Sequence, residues 1–417
     1  MNVLATVIFF AEVLLLAFAE KRIWKSLVTP LNCLMLPYAV VVLICIGLSD
    51  RMDYPPFNFS ILWVYAVGLL LFFIPSCFFG ILYNRRKDVP TEFVPLVSIP
   101  EKSTLKTLEW LTVFVFVLFL GWFLWLAFTF PAKIGSDTFG ERFASRGFFG
   151  HLVNLFMVLG IIWIYLFDFK QHKRYGIYIL GFVLTMLIYQ VKGWLFIPVL
   201  GALCLRVLTG RTKGSWKMIL LTVSGAFVAF FVFYWVDMYV AGAETYMELS
   251  GFTRAQYARS VFHYINRHFL SYLTAGVYGF SQDMTLGILE DGNPEKIFTP
   301  FVNLFNFLAG KPLVSHLNDI FVSCGFENTN VRSFMGTLYV FLGGWGAAGF
   351  MLVYSCVVNA AFFVAKCRRN FFLWIYIAWT LGRLVLGWFD PYVQTLTTIE
   401  IPLIICGLAL YTRCWKK

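Results

Sequence analysis

Arg259, His263 and Arg267 recur at every fourth position, and at 100° per residue they fall on one stripe of a helix together with Gln256. Such a stripe offers forked guanidinium donors to phosphate oxygens, with a titratable ring between them. Arg142 and Arg146, in Glu141-Arg-Phe-Ala-Ser-Arg146, repeat the i,i+4 spacing, and Lys192 and Arg332 supply single cations elsewhere. Several cations around one pyrophosphate neutralise a departing diphosphate without a metal ion. The residues suited to proton transfer in the same part of the chain are His263, His268, His316, Asp319 and Glu327. His316 and Asp319 lie three apart and share a face if helical, although each also reads plainly as a structural hydrogen-bonding residue. No His/Cys spacing suits a metal and no GxGxxG or Walker-type loop is present, so neither a metal nor a nucleotide cofactor is expected.

What must position these groups is a membrane protein. Of the 417 residues 60% are hydrophobic and only 13% charged, with a mean hydropathy of +0.76. Soluble domains carry about 25% charge, so a water-soluble enzyme is excluded. The net charge of +11 then points to membrane topology and anionic lipid rather than nucleic acid. Apolar runs predict eleven spans, near 2–19, 28–48, 60–83, 107–130, 149–168, 175–190, 193–209, 218–240, 345–365, 371–389 and 397–413. The expected fold class is therefore an all-α polytopic membrane protein of about eleven transmembrane helices.

The cations test that division, because Lys and Arg should collect in every second loop. They do so at Lys21, Arg22 and Lys25, at Arg85 to Lys106, at Lys170, Lys173 and Arg174, at Arg206 to Lys217, at Lys366 to Arg369, and at Arg413 to Lys417, which accounts for 21 of the 33. The N-terminus is accordingly expected outside and the C-terminus in the cytoplasm. The first run ends in Ala17-Phe18-Ala19 but has no preceding cation, and it reads as an uncleaved helix. Of nine cysteines only Cys324 falls on the external side, which argues against a disulfide framework.

Three segments follow: residues 1–240 with eight spans, a large external loop over 241–333, and 334–417 with the last three. A connection of 93 residues should carry its own structure. Two amphipathic helices are expected in it. One starts near Thr253, with Ala258, Phe262, Ile265, Phe269 and Leu273 opposite the basic stripe. The other starts at Thr299-Pro300, with Phe301, Leu304, Phe305 and Leu308 on one face. The first suits either a headgroup-binding interfacial helix or a substrate-binding one. Four external turns nevertheless bring cations to the membrane surface where topology alone would place none, and a lipid-linked phosphate or pyrophosphate is their natural ligand. Arg383 differs, since it lies inside the tenth span. It is either functional or paired with Glu400 or Asp390. Glu12, in the first span, is open to the same two readings.

The segment Phe326-Glu-Asn-Thr-Asn-Val-Arg-Ser-Phe-Met-Gly-Thr-Leu-Tyr-Val-Phe-Leu-Gly-Gly-Trp-Gly346 resembles the late external loop of Wzy-type polymerases of O-antigens and capsular polysaccharides. The resemblance extends to the number of spans, the cation in the tight turn before the seventh span, and the long external loop in the second half. The sequence departs from the pattern in carrying Lys192 where that turn often has Arg, which keeps the charge and loses the fork. The resemblance implies a GT-C-like membrane glycosyltransferase of the bacterial inner membrane, related in architecture to O-antigen ligases. It would transfer a growing glycan from undecaprenyl pyrophosphate to the non-reducing-end hydroxyl of another carrier-linked repeat unit. A flippase and a chain-length regulator of the same pathway are the implied protein partners. Arg142, Arg146, Lys192, Arg259, Arg267, Arg332 and Arg383 would bind substrate, with His263, His316, Asp319 and Glu327 as candidates for acid/base work. Tyr257, Tyr264 and Trp345 would stack on sugars, and Gly343, Gly344 and Gly346 would permit close helix packing. A ligase and a flippase or transporter of the same lipid-linked sugars remain alternatives.

Overall fold

The computed structural model describes residues 2–86, 97–131, 137–144, 147–169, 172–189, 192–212, 228, 231–232, 253–289, 293–314, 321–325 and 327–414. Its helices are α1 (Asn2–Trp24), α2 (Pro30–Leu48), α3 (Ile61–Asn84), α4 (Lys102–Thr129), α5 (Asp137–Ala144), α6 (Gly147–Leu166), α7 (Tyr175–Tyr189), α8 (Lys192–Leu208), α9 (Arg254–Leu286), α10 (Thr299–Leu308), α11 (Phe334–Arg368), α12 (Phe371–Val385) and α13 (Thr397–Cys414). One antiparallel hairpin, β1 (Val322–Cys324) with β2 (Glu327–Thr329), precedes α11. Ten of the expected spans are helices, and 218–240 falls almost wholly outside the described residues. Among the described residues six helices, α1 to α4, α6 and α11, are long and apolar enough to cross a bilayer, while α7, α8, α12 and α13 are shorter apolar helices. The protein is an all-α polytopic membrane protein, with one small hairpin among the described residues.

Contacts divide the chain into two units that differ from the three sequence segments: residues 1–98 with 271–403, and residues 99–270 with 404–417. In the first unit α3 packs along α11, and Gly68 allows the close approach: a Cβ there would lie 2.7 Å from the Met335 sulfur. Loops expected on the same side of the membrane meet one another. At one end Lys366 Nζ donates to the Trp24 carbonyl at 3.0 Å and Ser98 N to the Arg369 carbonyl at 3.1 Å. At the other end Tyr54 shares a 3.0 Å hydrogen bond with Thr274, and Asn58 N donates to Ser281 Oγ at 2.8 Å. An apolar groove of about 250 Å³ lies between α3 and α11, lined by Trp63, Val67, Gly68, Met335, Tyr339 and Met351.

The first of these ends also holds a buried carboxyl. Trp24 Nε1 donates to Ser76 Oγ at 2.9 Å, and Ser76 donates to Glu20 Oε1 at 2.6 Å. Ser76→Ala strips both neighbours of a partner, and since all three groups are buried a loss of about 1–3 kcal/mol is expected in thermal unfolding of the detergent-solubilised protein. Wild-type stability would show that the chain of bonds contributes nothing.

In the second unit α4, α6 and α8 are tied by polar contacts. Trp163 Nε1 donates to Thr112 Oγ1 at 2.8 Å. Arg206 caps the C-terminal end of α6 by donating to the carbonyls of Ile164, Tyr165 and Phe167 at 3.0, 3.1 and 2.6 Å. Arg174 pairs with Glu109 at 2.8 Å. These cations belong to the alternating set, so part of their task is closing helix ends.

Candidate functional site

The helix expected at Thr253 forms, and it begins with a capping box: Gln256 Oε1 accepts from Thr253 N at 2.9 Å while Gln256 N donates back to Thr253 Oγ1 at 3.4 Å. It runs on to Leu286, well past the amphipathic stretch. Arg259 and His263 are exposed and Arg267 half-buried. The inward stripe is Tyr257, Val261 and Ile265, so the expected apolar face is rotated: Phe262 is 56% exposed. Tyr257, expected to meet sugars, is buried, whereas Tyr264 is exposed and stacks on His268 with ring centroids 5.7 Å apart. Trp345 is fully open to the surroundings at 94%.

Arg142 sits exposed in the last turn of α5, whose Phe139 and Phe143 point inward. Among the described residues no carboxylate lies within ion-pair distance of Arg142 or Arg259. Lys192 begins α8, and Arg146, His316 and Asp319 lie outside the described residues. Glu327 opens β2, opposite Cys324 in the hairpin. In α10 the Thr299 hydroxyl donates to the Glu295 and Lys296 carbonyls of the preceding turn. The apolar face of that helix is exposed, with Phe305 at 63% and Leu308 at 76%.

Arg332 does not reach toward headgroups. It is 2% exposed, its Nε and Nη2 bind the two Asp283 carboxylate oxygens at 2.5 and 2.7 Å, and Nη1 donates to the Asn330 carbonyl at 2.8 Å. The adjoining backbone explains why it turns inward. Gly279 leaves room for the Val331 carbonyl, which a Cβ would meet at 2.2 Å, so α9 and the strand leading to α11 lie in direct contact. Ser333 then caps α11 by accepting from Gly336 N, shares a 2.9 Å bond with Tyr65, and donates its own N–H to the Gly276 carbonyl at 2.8 Å. Of Gly343, Gly344 and Gly346 after it, one has a conformational task as well. Gly343 bends α11 at φ 67°, a left-handed conformation that a side chain would oppose.

The α12–α13 connection completes this end of the first unit. Gly276 brings α9 against it, since a Cβ would stand 2.3 Å from the carbonyls of Trp388 and Phe389. Tyr272 stacks on Phe389 with centroids 4.6 Å apart. Phe334 N donates to the Gly387 carbonyl at 2.7 Å. Arg383, at the end of α12, is 7% exposed, and its Nη2 donates to Thr398 Oγ1 at 3.2 Å. Its expected pairing with Glu400 or Asp390 is not among the ion pairs of the described residues, and Nε has no partner. Thr398 in turn donates to the Val393 carbonyl at 2.8 Å, which ties Arg383 to the loop. Asp390 is half-buried in that loop, and burial alone pushes its carboxyl from 3.8 up to about 7. Its charge opposes ionisation of Tyr272 and Tyr392, which burial already raises. Sequence reading missed Asp390 as a site residue, having named it only as a counter-charge.

A family profile described as "Family of unknown function (DUF6337)" matches residues 53–416. No curated protein and no solved structure matches the chain.

Proposed function

The chain belongs to that family, and on this premise we propose that it is a membrane glycosyltransferase polymerising lipid-linked oligosaccharide repeat units at the periplasmic face of the bacterial inner membrane. The growing glycan leaves undecaprenyl pyrophosphate and joins the non-reducing-end hydroxyl of another carrier-linked unit, with no metal ion. The N-terminus is periplasmic and the C-terminus cytoplasmic. The alternation of cations supports this orientation, and so does the meeting of same-side loops at each end of the first unit.

The observation that carries the reading is the α12–α13 end of the first unit. A buried guanidinium with an unpartnered Nε and a carboxyl without a hydrogen-bond partner among the described residues are tied into one loop there. An intramembrane Arg not matched by an acid is suited to an anionic ligand. The groove between α3 and α11, lined in part by Met335 two residues after the Ser333 cap, would offer the carrier hydrocarbon an apolar surface. Taken by itself, the second unit carries Arg142 and Arg259 exposed and without an ion-pair partner among the described residues.

Polyprenyl pyrophosphate titrated into the protein in nanodiscs tests the role of Arg383. Arg383→Ala should weaken binding about tenfold or more, as loss of a charge-assisted hydrogen bond is worth roughly 1.5–3 kcal/mol. Arg383→Lys should retain part of it. Unchanged affinity in Arg383→Ala would remove this residue from the substrate site.

A further inference from the structure

We propose that Asp390 is the catalytic proton acceptor of this reaction, held by the α12–α13 connection against α9. The inference rests on the glycosyl-transfer reading and deepens it by naming the base. In the step, the acceptor hydroxyl oxygen attacks the anomeric carbon and its proton passes to an Asp390 carboxylate oxygen. The new oxygen–carbon bond forms as the bond from the anomeric carbon to the diphosphate oxygen breaks. The departing diphosphate keeps that electron pair, and Asp390 later returns its proton to water.

The case is geometric first. Asp390 follows a turn in which its own N–H donates to the Leu386 carbonyl at 3.3 Å, so its backbone is fixed where α12 ends. On its N-terminal side Phe389 is clamped by Tyr272 and by the close approach of Gly276. On its C-terminal side Tyr392 is held at φ 50°, a left-handed conformation costly for a bulky residue. Three hydroxyl bonds hold that conformation: Thr395 Oγ1 to the Tyr392 carbonyl at 3.1 Å, Thr395 to Thr397 at 2.6 Å, and Thr398 to the Val393 carbonyl at 2.8 Å. A carboxyl carried on such a braced loop, yet without a hydrogen-bond donor among the described residues, is not serving as a structural acceptor.

The titratable groups whose surroundings its charge reaches are Tyr272 from α9, Tyr38 from α2 and Tyr392 from its own loop. Arg332 and Asp283 neutralise each other. Burial keeps Tyr272 and Tyr392 protonated across the working range, and Asp390 is left as the group that changes charge near neutrality. Such a group is matched to proton abstraction at the pH of the periplasm.

The test measures initial rates of glycan extension by the full-length protein in nanodiscs, supplied with polyprenyl-pyrophosphate-linked repeat unit, from pH 5 to 9. Wild-type rate should rise with pH to half its maximum at about 7. Asp390→Asn should lower kcat about 100-fold or more, leave KM within about threefold, and lose the rise with pH. Asp390→Glu should keep part of the rate with a displaced profile, which also guards against reading a misfolded variant as a catalytic one. Extension by Asp390→Asn at the wild-type rate, or with the wild-type pH profile, would overturn the assignment while leaving the polymerase reading standing. If the wild type extends nothing at any pH, the reading itself falls and the assignment with it.

Discussion

Asp283→Ala is expected to cost about 3–5 kcal/mol of stability, because it leaves the Arg332 guanidinium buried at 2% exposure without its counter-charge. The pair is bidentate and joins positions 49 residues apart, so its loss loosens α9 from the segment entering α11. Arg332→Ala should be comparably damaging, with Asp283 the uncompensated group. Replacing both, as Asp283→Leu with Arg332→Met, should recover much of the loss, since a buried ion pair is often matched by well-packed apolar residues. Thermal unfolding of the purified protein in detergent measures all three. If Asp283→Ala unfolds like the wild type, the pair does not hold this end together. The result bears on function as well. Inactivity of Arg332→Ala alone would not distinguish a phosphate ligand from a brace, whereas activity in the double variant would show that Arg332 braces.

Asp390→Asn is expected to stabilise the protein above neutral pH. Burial raises the Asp390 carboxyl from 3.8 to about 7, so the folded state holds its proton more tightly than the unfolded chain does. The stability associated with this group is therefore fully present below about pH 4 and is lost as pH rises through about 7. An uncharged Asn avoids that loss. The gain at pH 8 should be on the order of 2–4 kcal/mol, shrinking to nothing near pH 4, at about 1.4 kcal/mol for each tenfold change in proton affinity. Unfolding temperatures of the two proteins at pH 4.5 and pH 8 check this. A variant equal to or less stable than the wild type at pH 8 would mean that Asp390 is solvated or paired. Stability gained where activity is lost is the pattern expected of a group kept for chemistry.

The long apolar runs made most helices legible. The two expected helices of the external loop also formed, because Thr253 with Gln256 and Pro300 are local signals that need no tertiary context. The face of α9 was harder to read. In a membrane protein the surroundings are as apolar as the interior, so hydrophobicity could not distinguish Phe262, which is exposed, from Val261, which is buried. The fate of Arg332 depended on Asp283, far along the chain, and no spacing rule connects them. Asp390 was visible as a possible partner for Arg383. Its isolation depends on Gly276, Tyr272 and the Tyr392 turn, which only packing brings together. The exposure of Arg142 and of Arg259 was legible by charge, since exposed cations need no partner to be predicted.

The most direct test of the central claim uses purified protein in liposomes with undecaprenyl-pyrophosphate-linked repeat unit, a chelator and no nucleotide sugar, with products separated by size. The account predicts a ladder of longer carrier-linked glycans. Substrate recovered unextended, from protein whose unfolding temperature shows it to be folded, would contradict it.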